Sequence, residues 1–147
     1  IHSDSVVLGT SFTYNKATLE SVLEGVDLIP GSTLPGTPEF SMANYVQYAV
    51  EDLPGDTSGY VRLGHRYVGE MVSSIDNADH LFSDSYNAFD LRAGLFVGNY
   101  EVTLYVNNLS NNDAVTSRYD LGIDSWTTFR AYRLQPRTFG LNFRVDF

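Results

Sequence analysis

From Arg137 to Phe147 the chain reads RTFGLNFRVDF, with Phe139, Leu141, Phe143, Val145 and Phe147 at the odd positions. Thr138, Gly140, Asn142, Arg144 and Asp146 fill the even ones. A period of two specifies a β-strand with one apolar and one polar face, because successive side chains point to opposite sides. The pattern recurs upstream. Val6–Asn15 sets Val6, Leu8, Phe12 and Tyr14, with Thr10, against Val7, Gly9, Ser11 and Thr13. Glu39–Glu51 aligns Phe40, Met42, Val46, Tyr48 and Val50, with Asn44 breaking the phase. Gly59–Val72 opposes Val61, Leu63, His65, Tyr67 and Met71 to Arg62, Gly64, Arg66 and Glu70. Asn87–Val97 and Tyr100–Asn108 continue the theme, and a last segment runs from about Thr128 to Phe147. Helical periodicity is nearly absent; Ala17–Val26 is the one stretch with room for a helical turn or two.

The spacing of these six segments narrows the fold further. Asp52–Ser58 and Gly98–Asn99 are short turns, the latter a two-residue hairpin whose residues tolerate positive φ. Lys16–Pro38, Ser73–Tyr86 and Leu109–Thr127 are long connections. Structureless loops of ~20 residues are rare in compact soluble domains. Alternating long and short connections between strands of about ten residues are the pattern of outer-membrane barrels, which keep short turns on the periplasmic side.

Composition agrees with that pattern. Charged residues make up 18% of the 147 residues, against roughly 25% in soluble domains. No apolar run reaches the ~18 residues of a membrane helix. The net charge of −9 argues against nucleic acid, which requires a basic surface. Without cysteine there is neither a disulfide framework nor a thiolate metal site. Alternation alone is equally compatible with a soluble or surface-exposed β-sandwich used for binding or adhesion, in which the apolar faces would form the core. Tyr and Phe toward the strand ends (Tyr14, Tyr48, Tyr67, Phe89, Tyr100) resemble the aromatic girdles of a membrane barrel. His65 falls on the same face as these residues, where a lipid-facing strand would not want it.

Four stretches carry a family resemblance. Leu34-Pro-Gly-Thr-Pro38 leads into an alternating strand; YVRLGHRYVGE spans Tyr60–Glu70; YEVTLYVNNLS spans Tyr100–Ser110; and YRLQPRTFGLNFRVDF closes the chain. In this order, from about Leu34 to Phe147, they resemble the C-terminal end of a TonB-dependent outer-membrane receptor. The resemblance implies an all-β, antiparallel transmembrane β-barrel meander, with residues 1–147 supplying about six strands at the C-terminal end of a barrel of about 22. It implies uptake of a scarce ligand, most readily a ferric siderophore, with haem, cobalamin and carbohydrate as other family ligands. It places the chain in a bacterial outer membrane and names as partners the plug and earlier strands of the same receptor, the TonB complex, the barrel assembly machinery and lipid. No cofactor is implied. Six strands are fewer than the ~8 of the smallest membrane barrels, so the first and last strands are expected to pair with strands outside this sequence.

Within that frame the polar faces, with Arg62, Arg66, Asp90, Arg92, Glu101 and Arg144, are expected to line a lumen. Asp90 and Glu101 are expected to hydrogen-bond Arg62, Arg66 or Arg92 there. Gly9, Gly64, Gly94 and Gly140 are read as close-packing positions against a plug. Phe139, Leu141, Phe143, Val145 and Phe147 face lipid and, by the resemblance, form the signal read by the assembly machinery. In the last outer loop Arg118, Tyr119 and Trp126 are candidate ligand contacts through charge and stacking. The middle loop offers Asp76, Asp79, His80 and Asp84, whose spacing matches no metal-site template. Catalysis has no visible machinery: no G-x-S-x-G occurs, and His2, His65 and His80 have no companion motif.

Overall fold

The computed structural model describes residues 5–25, 28–73, 81–120 and 129–147. The described residues contain eight strands: β1 (Ser5–Tyr14), β2 (Phe40–Leu53), β3 (Thr57–Val68), β4 (Tyr86–Val97), β5 (Tyr100–Asn107), β6 (Val115–Asp120), β7 (Phe129–Arg133) and β8 (Thr138–Val145). Six form one antiparallel sheet in the order β1-β2-β3-β4-β5-β8. The hairpin β6–β7 forms a separate two-stranded sheet inside the β5–β8 connection. No helix occurs among the described residues.

The sheet is a meander in which each strand pairs with the one before it in the chain, once the β6–β7 hairpin is set aside. The turns agree with their sequences. Gly98 has φ 54° between β4 and β5, and Gly55 and Asp56 have φ 82° and 50° between β2 and β3. Among the described residues, strands contact only their hydrogen-bonded neighbours, so these strands form a single layer. The buried hydrophobic residues, Ala88, Ala114 and Val115, cluster where the loops meet the strand ends rather than between layers.

Three local expectations are corrected. The segment from Thr128 is not one strand: β7 ends at Arg133, Leu134–Arg137 intervenes, and β8 begins at Thr138. Pro136 lacks an N–H and cannot continue a ladder, and the Gln135 carbonyl is taken by the Asn108 side chain. The third strand stops at Val68 rather than Val72: Gly69 N–H still bonds the carbonyl of Phe40, the first residue of β2, and the chain then leaves the sheet. The described part of Ala17–Val26 makes no helical turn. Its groups bond across the loop instead, Leu19 N–H to Ser32 O, Gly31 N–H to Leu19 O and Leu34 N–H to Ala17 O.

Candidate functional site

Register assigns every side chain of the meander to one of two faces. On one face, Leu8, Val46, Leu63, Leu91, Val106 and Phe139 form a continuous row across all six strands, and Val6, Tyr48, Val61, Ala93, Leu104 and Leu141 form the next. These residues are not covered by the described chain: Phe139 is 70% exposed and Leu141 and Phe143 each 61%. Phe139, Leu141, Phe143 and Val145 thus share one face, as the alternation requires. Aromatic pairs sit near opposite ends of the sheet, Phe40 with Tyr67 and Tyr100 with Phe143, each with ring centroids 6.0 Å apart.

One row of this face is polar, and it accounts for the two residues that break the alternation. Thr10 pairs with Asn44, and Asn44 with His65. The Thr10 hydroxyl donates to Asn44 Oδ1 at 2.6 Å, and Asn44 Nδ2 donates to His65 Nδ1 at 3.1 Å. His65 Nε2 donates to Asn87 Oδ1 at 2.8 Å. The partners fix the Nε2–H tautomer, since an amide nitrogen only donates and an amide oxygen only accepts. Phe89 stacks on the imidazole with centroids 4.8 Å apart. The chain of donors runs one way across four strands and leaves each group a partner.

The opposite face carries Arg62, Arg66, Asp90, Arg92, Glu101 and Arg144. The network expected between its charges does not form. Asp90 Oδ1 instead accepts the Asn108 N–H at 2.8 Å, and Glu101 accepts the Thr103 hydroxyl at 3.2 Å. Arg144 binds Asp146, two residues along its own strand direction, at 2.9 Å. Arg62 lies opposite Arg92, and its guanidinium rests 3.8 Å above the Tyr45 ring centroid. Asp90 lies opposite Gly64, between the rows of Arg62 and Arg66, and its Oδ1 is held by the Asn108 N–H where β5 ends.

The strand glycines have a different occupant from the one expected. Gly9 faces Tyr45, Gly94 faces Tyr60, and Gly140 faces Tyr105. In each pair the tyrosine ring covers the glycine so closely that an added Cβ would overlap it. Gly64 is the exception, with only the Asp90 carbonyl oxygen within 4 Å of such an atom, at 3.8 Å.

At the end of the sheet where β5 runs into Asn108, the long connections knit together. Arg118 N–H bonds Ser73 Oγ at 3.1 Å. Its guanidinium binds the Phe82 carbonyl and, at 3.1 Å, the Asp84 carboxylate. Asp84 Oδ2 accepts the Val115 N–H at 2.8 Å, and the Val115 carbonyl accepts the Asp84 N–H at 2.7 Å. The Val115 N–H holds the Asp84 carboxyl below its ordinary range; partial burial works against this and Arg118 reinforces it. Arg118 is therefore committed to joining the hairpin to the middle connection. Tyr119 packs edge-on against Tyr132 with centroids 5.9 Å apart. Trp126, Asp76, Asp79 and His80 lie outside the described residues.

Asn108 is the residue that sequence reasoning missed. It is 5% exposed with φ 50°. Its Nδ2 donates to the Asn112 and Gln135 carbonyls, both at 2.8 Å, and its Oδ1 accepts the Asn112 N–H at 2.9 Å. Arg137 N–H bonds Asn111 Oδ1 at 3.0 Å. The stretches YVNNLS and QPRT thus form one clasp. The signal was present in NNLSNND, since Asn tolerates positive φ and bonds nearby backbone.

No family model, curated protein or solved structure matches the chain.

Proposed function

We propose that the chain is part of the wall of an outer-membrane β-barrel, the C-terminal strands of a TonB-dependent receptor that takes up a scarce ligand, in the first instance a ferric siderophore. The observation that carries the reading is the single-layered sheet with one uncovered face that is apolar but for the Thr10–Asn44–His65 row. A sheet must bury such a face against another layer or against lipid, and no described element packs on it. A β-sandwich would place Phe139, Leu141 and Phe143 between two sheets, whereas they are exposed. Support for a larger barrel comes from β1 and β8, each hydrogen-bonded on one edge among the described residues; open edges are not tolerated in hydrocarbon. In this reading the face with Arg62 and Arg92 lines the lumen and the β6–β7 hairpin belongs to the outer surface. The partners are the plug and earlier strands, the TonB complex, the assembly machinery and lipid, and the chain performs no catalysis.

The deciding experiment expresses the full polypeptide in a Gram-negative host and measures uptake of radiolabelled ferric chelates, haem, cobalamin and carbohydrates, with and without TonB. Outer-membrane fractionation with TonB-dependent uptake is the expected result. A soluble product, or no TonB-dependent uptake of iron, haem, cobalamin or carbohydrate, overturns the reading.

A further inference from the structure

Tyr45 lies opposite both Gly9 and Gly64, yet its ring covers only Gly9. The Gly64 backbone is left bare on the polar face. Beside it is a depression of about 500 Å³ that Ser11, Tyr45, Arg62, Gly64, Arg66 and Asp90 help to line. Arg62 and Arg66 flank Gly64 on the same strand and the same side. Among the described residues, no carboxylate forms an ion pair with either. Asp90, opposite Gly64, has one oxygen on the Asn108 N–H. Arg92 stands directly opposite Arg62, and like charges facing each other across a strand pair destabilise it. The Arg62 guanidinium is already oriented by its position over the Tyr45 ring, so little freedom is lost when it grips a ligand.

We propose that the notch over Gly64 is a carboxylate-binding site in which Arg62 and Arg66 grip the anion, on an open floor where no side chain intrudes. Guanidinium groups match a carboxylate's two oxygens, and the missing Cβ lets the anion approach the backbone. The hydroxyl of Ser11 and the remaining Asp90 oxygen suit an anion that also carries hydrogen-bonding groups. The carboxylate belongs either to a free organic acid or to an Asp or Glu on another segment of the polypeptide. The site goes beyond the receptor reading and stands on the polar face alone.

The test uses the full polypeptide and follows its thermal unfolding midpoint with succinate as the probe. A saturable rise of about 2–4 °C, lost in Arg62→Gln/Arg66→Gln, supports the site with a free anion as occupant. If succinate has no effect, the Arg66→Lys variant is treated with a zero-length carbodiimide. A bond from position 66 to an Asp or Glu other than Asp90 supports the site with a carboxylate from another segment. Indifference to succinate, together with no cross-link from position 66 beyond Asp90, overturns the proposal.

Discussion

Tyr105 and Gly140 face each other across β5 and β8, and the ring occupies the space a side chain at 140 would need. The contact converts a strand glycine, ordinarily a weak point, into a seat for an aromatic ring. Gly140→Ala must push the ring aside and is expected to cost about 1–3 kcal/mol. The Tyr105→Ala/Gly140→Ala pair is expected to cost less than the sum of the single changes. Denaturant midpoints of the four proteins in the cycle measure this directly; additive costs would show that the ring has another seat.

Adjacent residues on β8 offer a test of the two faces. Leu141 belongs to the apolar face and Asn142 to the polar one. If the apolar face meets lipid, Leu141→Arg is expected to cost about 2–4 kcal/mol near the bilayer centre, and Asn142→Arg much less. Folding efficiency into lipid vesicles discriminates them. Equal sensitivity at both positions would argue that neither face sees hydrocarbon.

Asn108 combines a backbone role with a side-chain role, and substitutions separate the two. Asn108→Gly keeps positive φ accessible but strands the Asn112 and Gln135 carbonyls, for an expected loss of about 1–3 kcal/mol. Asn108→Ala adds the strain of φ 50°, about another 1 kcal/mol. Unfolding midpoints ranked parent, Gly, Ala are the expected outcome.

At Asp84 the folded protein holds the carboxyl below its ordinary 3.8, through the Val115 N–H first and the Arg118 guanidinium after it. A depressed value means that the charged form is the one the fold prefers. The stabilisation is then complete above pH 3.8 and is lost as the pH falls below it, through the folded value. Protection of the Val115 amide, taken relative to its intrinsic exchange rate at each pH, should fall across that window. In Asp84→Asn this acid-triggered step should vanish.

The row from Thr10 to Asn87 makes a contrasting forecast. Asn44→Ala breaks it in the middle and leaves Thr10 and His65 each one partner short, an expected loss of about 1–3 kcal/mol. Replacing all of Thr10, Asn44, His65 and Asn87 by apolar residues of similar size should cost less than the single change, because no group is then left unsatisfied. Thermal unfolding of the two variants in one detergent makes the comparison.

Period-two alternation made most of the sheet legible: each of its six strands lies where apolar residues recur at every second position, and the short turns were readable from Gly98–Asn99 and Pro54–Gly55. What alternation cannot carry is partnership across strands. His65 and Asn44 look like errors in an apolar pattern until register puts them side by side. Likewise Gly140 looks like a packing position for something external until Tyr105 is found above it. The β6–β7 hairpin was missed for a different reason. Val115–Asp120 is short, and its pairing rests on contacts with Ser73 and Asp84, more than 30 positions away in sequence. Arg118 bonds the Phe82 carbonyl and the Asp84 carboxylate, partners that its place in the sequence does not reveal.

The clasp around Asn108 also bears on how such a chain can vary over generations. Asn108, Leu109 and Asn111 hold Gln135 and Arg137 through their own backbone and side-chain atoms. The stem of the connection is therefore fastened by residues next to β5 and β8 themselves. Insertions or replacements between them meet no requirement from β5–β8 pairing, so new sequences can be tried there while the wall beneath keeps its register.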